Sequence, residues 1–286
     1  MSALERRLHA WRADLADARL RGKVEAARFV EGRAAFVCDP VADIRVAPSQ
    51  EAGLDSQLLL GDEVRVFDEA EGWSWMQAVR DGYVGYVVST SLADAAGEPT
   101  HMVAAPRSFT YARDDLKSPR VRAFSMGSLV AVAGWSDNRG TRYAMLDTGE
   151  AMIAGHLRPI GEFAADYVAV AEALEHTPYL WGGTSGFGLD CSGLVQLSMR
   201  MAGGTPLRDT DMQERSVGGE IDPGPGGSAL RRGDLVFWKG HVAIMADGEN
   251  VIHANGYTML VSREPLAVAV ERIARQYGQP TRYRRA

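Results

Sequence analysis

Three side chains in this chain could together carry covalent catalysis: Cys191, His241 and His253. Cys191 lies within YLWGGTSGFGLDCSGLV, residues 179–195. Gly182, Gly183, Gly186 and Gly188 precede it, where tight turns keep bulky groups away. After it comes SGLVQLSMRMA, in which Leu194, Val195, Leu197, Met199 and Met201 predict a largely apolar helix. Asp190 or Ser192 caps that helix. A cysteine at a helix start meets unpaired N–H groups and the positive end of the dipole, a setting that favours thiolate over thiol.

His241 opens the run HVAIMAD, and His253 sits in the next run, NVIHANG. Adjacent strands can bring both rings to one site, subject to register. A two-residue turn that pairs Asp247 with Asn250 sends them to opposite faces. An odd-length loop or a bulge puts them on the same face, and a shared role requires one of these. The chemistry is then acyl transfer. Cys191 attacks a carbonyl carbon, His241 takes its proton or already holds it as imidazolium, and His253 orients His241. The backbone N–H of Cys191 and the hydroxyl of Tyr179 are candidate oxyanion donors. The histidines lack a third ligand at metal-binding spacing, so neither metal nor cofactor is expected. His9, His101, His156 and His176 read as structural.

Several elements must position these groups. Leu4, Leu8, Trp11, Leu15, Leu20, Val24, Ala27 and Phe29 recur at roughly helical spacing and predict a helix over 3–31. Residues 33–93 hold short β-rich runs (AAFVC, ADIRVAP, LLLGDEVRVFDEA, WSWMQAVRD, GYVGYVV) separated by turn residues, the pattern of a small barrel. Cys38, in the first run, reads as core. Residues 100–160 repeat the pattern: GDEVRV and GSLVAV align, each with a tryptophan soon after (Trp73, Trp135). Residues 162–176 predict an amphipathic helix with Phe163, Tyr167, Val170 and Leu174 on its apolar face. Residues 203–230 read as loop, and 218–228 as a solvated surface segment or a lid. RRGDLVFWK, HVAIMAD and NVIHANG then predict an antiparallel sheet. Helices followed by sheet make this part α+β. The expected domains are an N-terminal helical segment (1–32), two small barrels (33–96 and 97–160) and a catalytic domain (161–286).

Composition sets outer bounds. At 286 residues, with 46% hydrophobic and 24% charged residues, the chain is an ordinary globular one. A net charge of −6 argues against nucleic acid or an anionic membrane as partner. No apolar run approaches the roughly 18 residues that span a bilayer. The first 20 residues are charged throughout and lack an apolar signal core, which predicts a cytoplasmic location for the chain as given. The two cysteines are far apart and form no Cys-x-x-Cys pair, so a zinc site or redox pair is not expected.

The blocks YLWGG, DCSGLVQ, RRGDLVFW, HVAIM and VIHANG, in that order over 179–255, resemble the NlpC-type family of papain-like cell-wall cysteine peptidases. With the two preceding segments, which resemble bacterial SH3-like domains, the chain is similar to the γ-D-glutamyl-L-diamino-acid endopeptidases. That resemblance implies a papain-like catalytic domain after two SH3-like barrels. It implies cleavage of murein peptides with a free N-terminal L-Ala, after γ-D-Glu and before a diamino acid, in murein-peptide recycling. It makes Cys191 the nucleophile, His241 the base and His253 the third polar member. It places Tyr179, Asp190 and Ser192 along the substrate, and Asp62 or Glu63, with Tyr83, around its amine. Asp190 has two readings of its own, an anchor for a substrate ammonium or simply the helix cap. Likewise Asp62 and Glu63 could be solvated strand-end charges, and Tyr83 barrel core. The rival readings are an amidase or acyltransferase on the same Cys-His-His set, and a non-catalytic wall-peptide binder.

Overall fold

The computed structural model describes residues 4–95 and 97–286, and the chain divides into two compact units, Met1–Glu162 and Phe163–Ala286.

The first unit opens without the expected helix. Residues 1–3 lie outside the described ones. The rest of that stretch holds two three-residue strands, β1 (Leu15–Asp17) and β2 (Arg28–Val30), paired in parallel, with a 3-10 turn at Ala18–Leu20. The apolar residues that suggested a helix are consumed by a neighbouring sheet instead. Ala10 and Leu15 pack with Phe67 and Trp75, and Arg12 lies over the Trp75 ring. The backbone also bonds outward, Val84 N to Arg7 O at 2.8 Å and Gln77 Nε2 to Leu8 O at 2.9 Å. Locally, the Asp17 carboxylate accepts from Arg19 N, a bond that competes with helix.

That sheet contains β3 (Arg33–Val37), β4 (Val41–Arg45), β5 (Leu54–Leu59), β6 (Glu63–Ala70), β7 (Trp73–Ala78), β8 (Val84–Val88) and β9 (Leu92–Ala93). Its order is β5-β4-β8-β7-β6-β3-β9, all antiparallel. Next come β10 (His101–Val103), β11 (Arg107–Tyr111), β12 (Arg120–Ser125), β13 (Leu129–Val130), β14 (Val132–Asn138), β15 (Thr141–Leu146), β16 (Ala151–Ile153) and β17 (Leu157–Pro159). They form two sheets, β13-β10-β17 and β12-β11-β16-β15-β14, around Val103, Phe124, Val130, Leu146 and Met152. Strand β12, RVRAFS, went unread because its charged residues hide any alternation.

The repeat is real at atomic detail. Gly61 N donates to Val37 O (2.9 Å) and Val37 N to Asp62 O (2.9 Å). Sixty-six residues on, Gly127 N donates to Val103 O (2.8 Å) and Val103 N to Ser128 O (2.9 Å). Both glycines have φ above +80°, where a side chain would be strained. The tryptophans do not correspond, however: Trp73 starts β7, whereas Trp135 lies within β14. Cys38 is exposed rather than core, its Sγ 3.5 Å from Thr90 O.

The second unit has four helices, α1 (Tyr167–Ala173), α2 (Cys191–Met201), α3 (Thr210–Ser216) and α4 (Leu266–Tyr277). Its strands are β18 (Thr184–Ser185), β19 (Gly188–Leu189), β20 (Gly219–Glu220), β21 (Asp234–Trp238), β22 (His241–Met245), β23 (Asn250–Asn255), β24 (Leu260–Pro265) and β25 (Arg282–Arg285). A six-stranded antiparallel sheet runs β20-β25-β21-β22-β23-β24. Helix α1 is shorter than predicted because the Asp166 carboxylate caps it, accepting from Val168 N at 2.8 Å. Phe163 falls outside the helix and is exposed. Residues 203–230 are not all loop either. They contain α3 and β20, and β20 is tied to β25 at the sheet edge. Helix α2 packs on β22 and β23. Ala269 and Ile273 of α4 join Val236, Trp238, Ala243, Met245 and Val251 in one buried cluster.

Candidate active site

Cys191 is the first residue of α2. The glycine-rich stretch before it folds into a small hairpin, β18 with β19, whose backbone holds the helix start: Asp190 N donates to Gly183 O at 3.0 Å. Two glycines are required by close approach. A Cβ on Gly193 would sit 2.1 Å from Gly183 O, and one on Gly183 would sit 2.5 Å from Gly188 O.

Asp190 is the cap. Its carboxylate accepts from Gly193 N at 2.7 Å and from Gly182 N at 3.0 Å. It also receives both arms of Arg208, at 3.1 and 2.6 Å, a buried bidentate ion pair. The Ser192 hydroxyl donates to Asp190 at 3.2 Å and accepts from Arg208 at 2.8 Å. Of the two readings of Asp190, the structure shows the helix cap. Asp190 and Ser192 are both buried in a closed network, and the counter-ion of Asp190 is a guanidinium of the same chain. Arg208 was not foreseen, since nothing in local spacing links a loop arginine to an aspartate 18 positions earlier.

The Cys191 Sγ lies 3.6 Å from Thr210 Oγ1 on α3 and 4.0 Å from Gly240 O, the residue before His241. Burial pushes the thiol up to about 11, and the Asp190 charge adds to this. Hydrogen bonds from Thr210 and the Val242 N–H, and the Arg208 charge, only partly offset it. The helix start alone suggested thiolate, but burial outweighs it. Tyr179 is half-buried, and burial with the nearby Cys191 and Asp190 charges pushes its phenol up to about 12, so it stays a donor.

His241 and His253 do share a face. The β22–β23 register pairs Ile244 with Ile252 and Met245 with Val251, and Ala246 N donates to Asn250 O. This leaves a three-residue loop, Asp247-Gly248-Glu249, the odd length that a shared role requires. His241 Nε2 lies 2.9 Å from His253 Nδ1. Burial, with His253 and Arg272 nearby, pushes the His241 imidazole well below its ordinary range. His253 is fully buried, and its Nε2 lies 2.8 Å from Glu264 Oε1. Burial resists ionisation of Glu264, yet bonds to His253 and Arg272 hold its carboxyl below the ordinary range. Sequence reading missed Glu264, although the β23–β24 register could have found it once the turn at 256–259 was known.

A buried cysteine at a helix start, a strand histidine and a second histidine bonded to it form a nucleophile–base–orienter array. Residues 176–278 match the profile of the NlpC/P60 family, and residues 44–92 that of the bacterial dipeptidyl-peptidase SH3 domain. The second unit is an NlpC/P60 domain. An SH3 domain precedes it, and the chain is a peptidase of the cysteine type. Among its relatives is the γ-D-glutamyl-L-lysine dipeptidyl-peptidase of Bacillus cereus, 28% identical over 70% of this chain and 67% of that one. Dipeptidyl-peptidase 6 of Lysinibacillus sphaericus is 26% identical over 77% of this chain and 87% of its own. A crystal structure of an NlpC/P60 family protein from Bacillus cereus superposes with a TM-score of 0.72 at 24% identity, covering 88% of this chain and 99% of that one, a likeness of fold.

The barrel residues expected near an NlpC/P60 substrate behave differently from one another. Asp62 is buried, its carboxylate accepting from Leu59 N at 2.8 Å and Arg80 Nη1 at 2.6 Å. That commits it to a turn and an ion pair of its own barrel. Tyr83 is likewise buried there. Glu63, at the start of β6, is exposed.

Proposed function

We propose that this protein is a γ-D-glutamyl-L-diamino-acid peptidase. It cleaves murein peptides that carry a free N-terminal L-Ala, and releases the L-Ala-γ-D-Glu dipeptide. The observation that carries this reading is the Cys191–His241–His253 array, in a chain whose likeness to peptidases of that name extends over both the SH3 and the catalytic regions.

The mechanism follows from the electrostatics. Burial favours a neutral thiol and a neutral imidazole, which selects general-base attack over a standing thiolate–imidazolium pair. The Sγ proton passes to His241 as sulfur adds to the γ-carbonyl carbon of D-Glu. The backbone N–H of Cys191 and the Tyr179 hydroxyl receive the developing oxyanion. His241 then protonates the leaving amine of the diamino acid, and water hydrolyses the thioester.

A free amine on L-Ala suits a peptide already released from its anchoring amide. We therefore assign the protein to cytoplasmic recycling of such peptides, which cell fractionation tests. The specificity is tested by mass spectrometry on L-Ala-γ-D-Glu followed by diaminopimelate or L-Lys, their N-acetylated forms and an α-linked control, with wild type and Cys191→Ala. Cleavage after D-Glu of the free-amine peptides only, absent in the variant, is the expected result. Equal cleavage of acetylated peptides sinks the free-amine requirement, and no cleavage of any peptide sinks the assignment.

A further inference from the structure

We propose that Glu264, held by Arg272, is a positioning residue that sets the tautomer of His253 and, through it, which nitrogen of His241 acts as base. Glu264 reaches the site from β24 and Arg272 from α4, two elements that supply none of the Cys-His-His set. Glu264 Oε1 lies 2.8 Å from His253 Nε2, and Arg272 Nη2 bonds the same oxygen. Arg272 is itself held, its guanidinium 4.5 Å from the Tyr257 ring centroid.

The donor inventory makes the consequence definite. An ionised carboxylate only accepts, so His253 Nε2 must carry a proton. Neutral His253 then has Nδ1 as its acceptor. Across the 2.9 Å contact, His241 Nε2 must be the donor. That leaves Nδ1 of His241 as the lone-pair nitrogen, and it takes the proton released by Cys191. The imidazolium so formed is stabilised through His253 by the Glu264 charge. The groups around His241 are His253 on β23 and Arg272 on α4, with Glu264 beyond His253, and helix α2, which Cys191 starts, packs on the strand that carries it. Trp238 of β21 contributes only an uncharged ring, 5.7 Å between centroids. Without Glu264, His253 could hold its proton on either nitrogen, and His241 would lose its fixed orientation.

The inference rests on Cys191, His241 and His253 reacting together, and not on which peptide is cut, so its test uses no peptide. Histidine-selective 15N NMR assigns the tautomers in wild type, Glu264→Ala and Glu264→Gln. Iodoacetamide alkylation of Cys191, in a Cys38→Ser background, measures thiol reactivity against pH. The expected wild-type state has both His241 and His253 protonated at Nε2. Glu264→Ala mixes the His253 tautomers and slows alkylation on the order of 10- to 100-fold, the usual range for outer-shell partners. Glu264→Gln, whose amide oxygen still accepts from His253, keeps the tautomers. It loses the charge, so the His241 limb of the alkylation profile moves to lower pH. A His253 protonated at Nδ1 in wild type overturns the proposal. So do tautomers and an alkylation profile unchanged in both variants, or a Glu264→Gln variant as impaired as Glu264→Ala.

Discussion

Cys191 sits beside a carboxylate it does not use. The Asp190–Arg208 pair is nearly free of solvent, with Arg208 1% exposed, and it joins the helix cap to the segment before α3. Removing one partner of such a pair leaves an uncompensated buried charge, at a cost of about 3–5 kcal/mol. Arg208→Met should therefore lose stability of that order in denaturant unfolding, and a loss below about 1 kcal/mol would refute the pairing. Thiol reactivity belongs to the same scale. With burial holding the thiol near 11, the main rise in Cys191 alkylation should come well above neutral pH. Peptide mapping must separate it from exposed Cys38. A principal limb near pH 5 would instead reveal a standing thiolate.

At the scale of elements, the β22–β23 register decides whether a site exists. Deleting Val251 shortens β23 by one residue between the loop and His253 and turns His253 away from His241. Peptidase activity should fall on the order of 10²- to 10⁴-fold, the contribution of a lost general base, while circular dichroism still shows the sheet. Helix α2 is seated by an equally strict contact. Gly193→Ala forces a Cβ against Gly183 O, and overpacking of this kind costs roughly 1–3 kcal/mol. Thermal melting would register it, and an unchanged midpoint would show that the hairpin gives way freely. The glycine-rich turn, the helix start and the order of the three catalytic side chains were all legible in the sequence, because glycine runs, an Asx cap and alternating strands are local patterns. The N-terminal 30 residues were misread for the opposite reason. Their apolar spacing is real, but Trp75 and Phe67 of the adjoining sheet compete for it and win.

At the scale of the molecule, every residue of the relay lies within Phe163–Ala286. A fragment spanning that unit should fold and retain Cys191 alkylation close to that of the full chain. Loss of reactivity in a folded fragment would show that this unit is not sufficient for the site. Stability should also depend on pH in a defined direction. His241 is depressed in the folded chain, so below its ordinary imidazole range the unfolded chain binds a proton that the folded one excludes. Glu264 is depressed as well and acts in the same direction at lower pH. The melting temperature should fall as pH drops from 7 towards 4, less steeply in His241→Asn, and a rise over that range would contradict the burial.

The sequence by itself determined an SH3-like region ahead of an NlpC/P60-like one, the matching turns at Gly61 and Gly127, the cysteine at a helix start and the need for an odd-length histidine hairpin. These are statements about neighbours along the chain, where backbone geometry and period are decisive. Only the tertiary structure decided the rest. It paired Asp190 with Arg208 and Asp62 with Arg80. It raised the thiol where the helix dipole would lower it, and extended the relay to Glu264. Each of these depends on which charges and which bulk come together across long stretches of chain. Burial and paired charge act through distance in space, which spacing along the sequence does not encode.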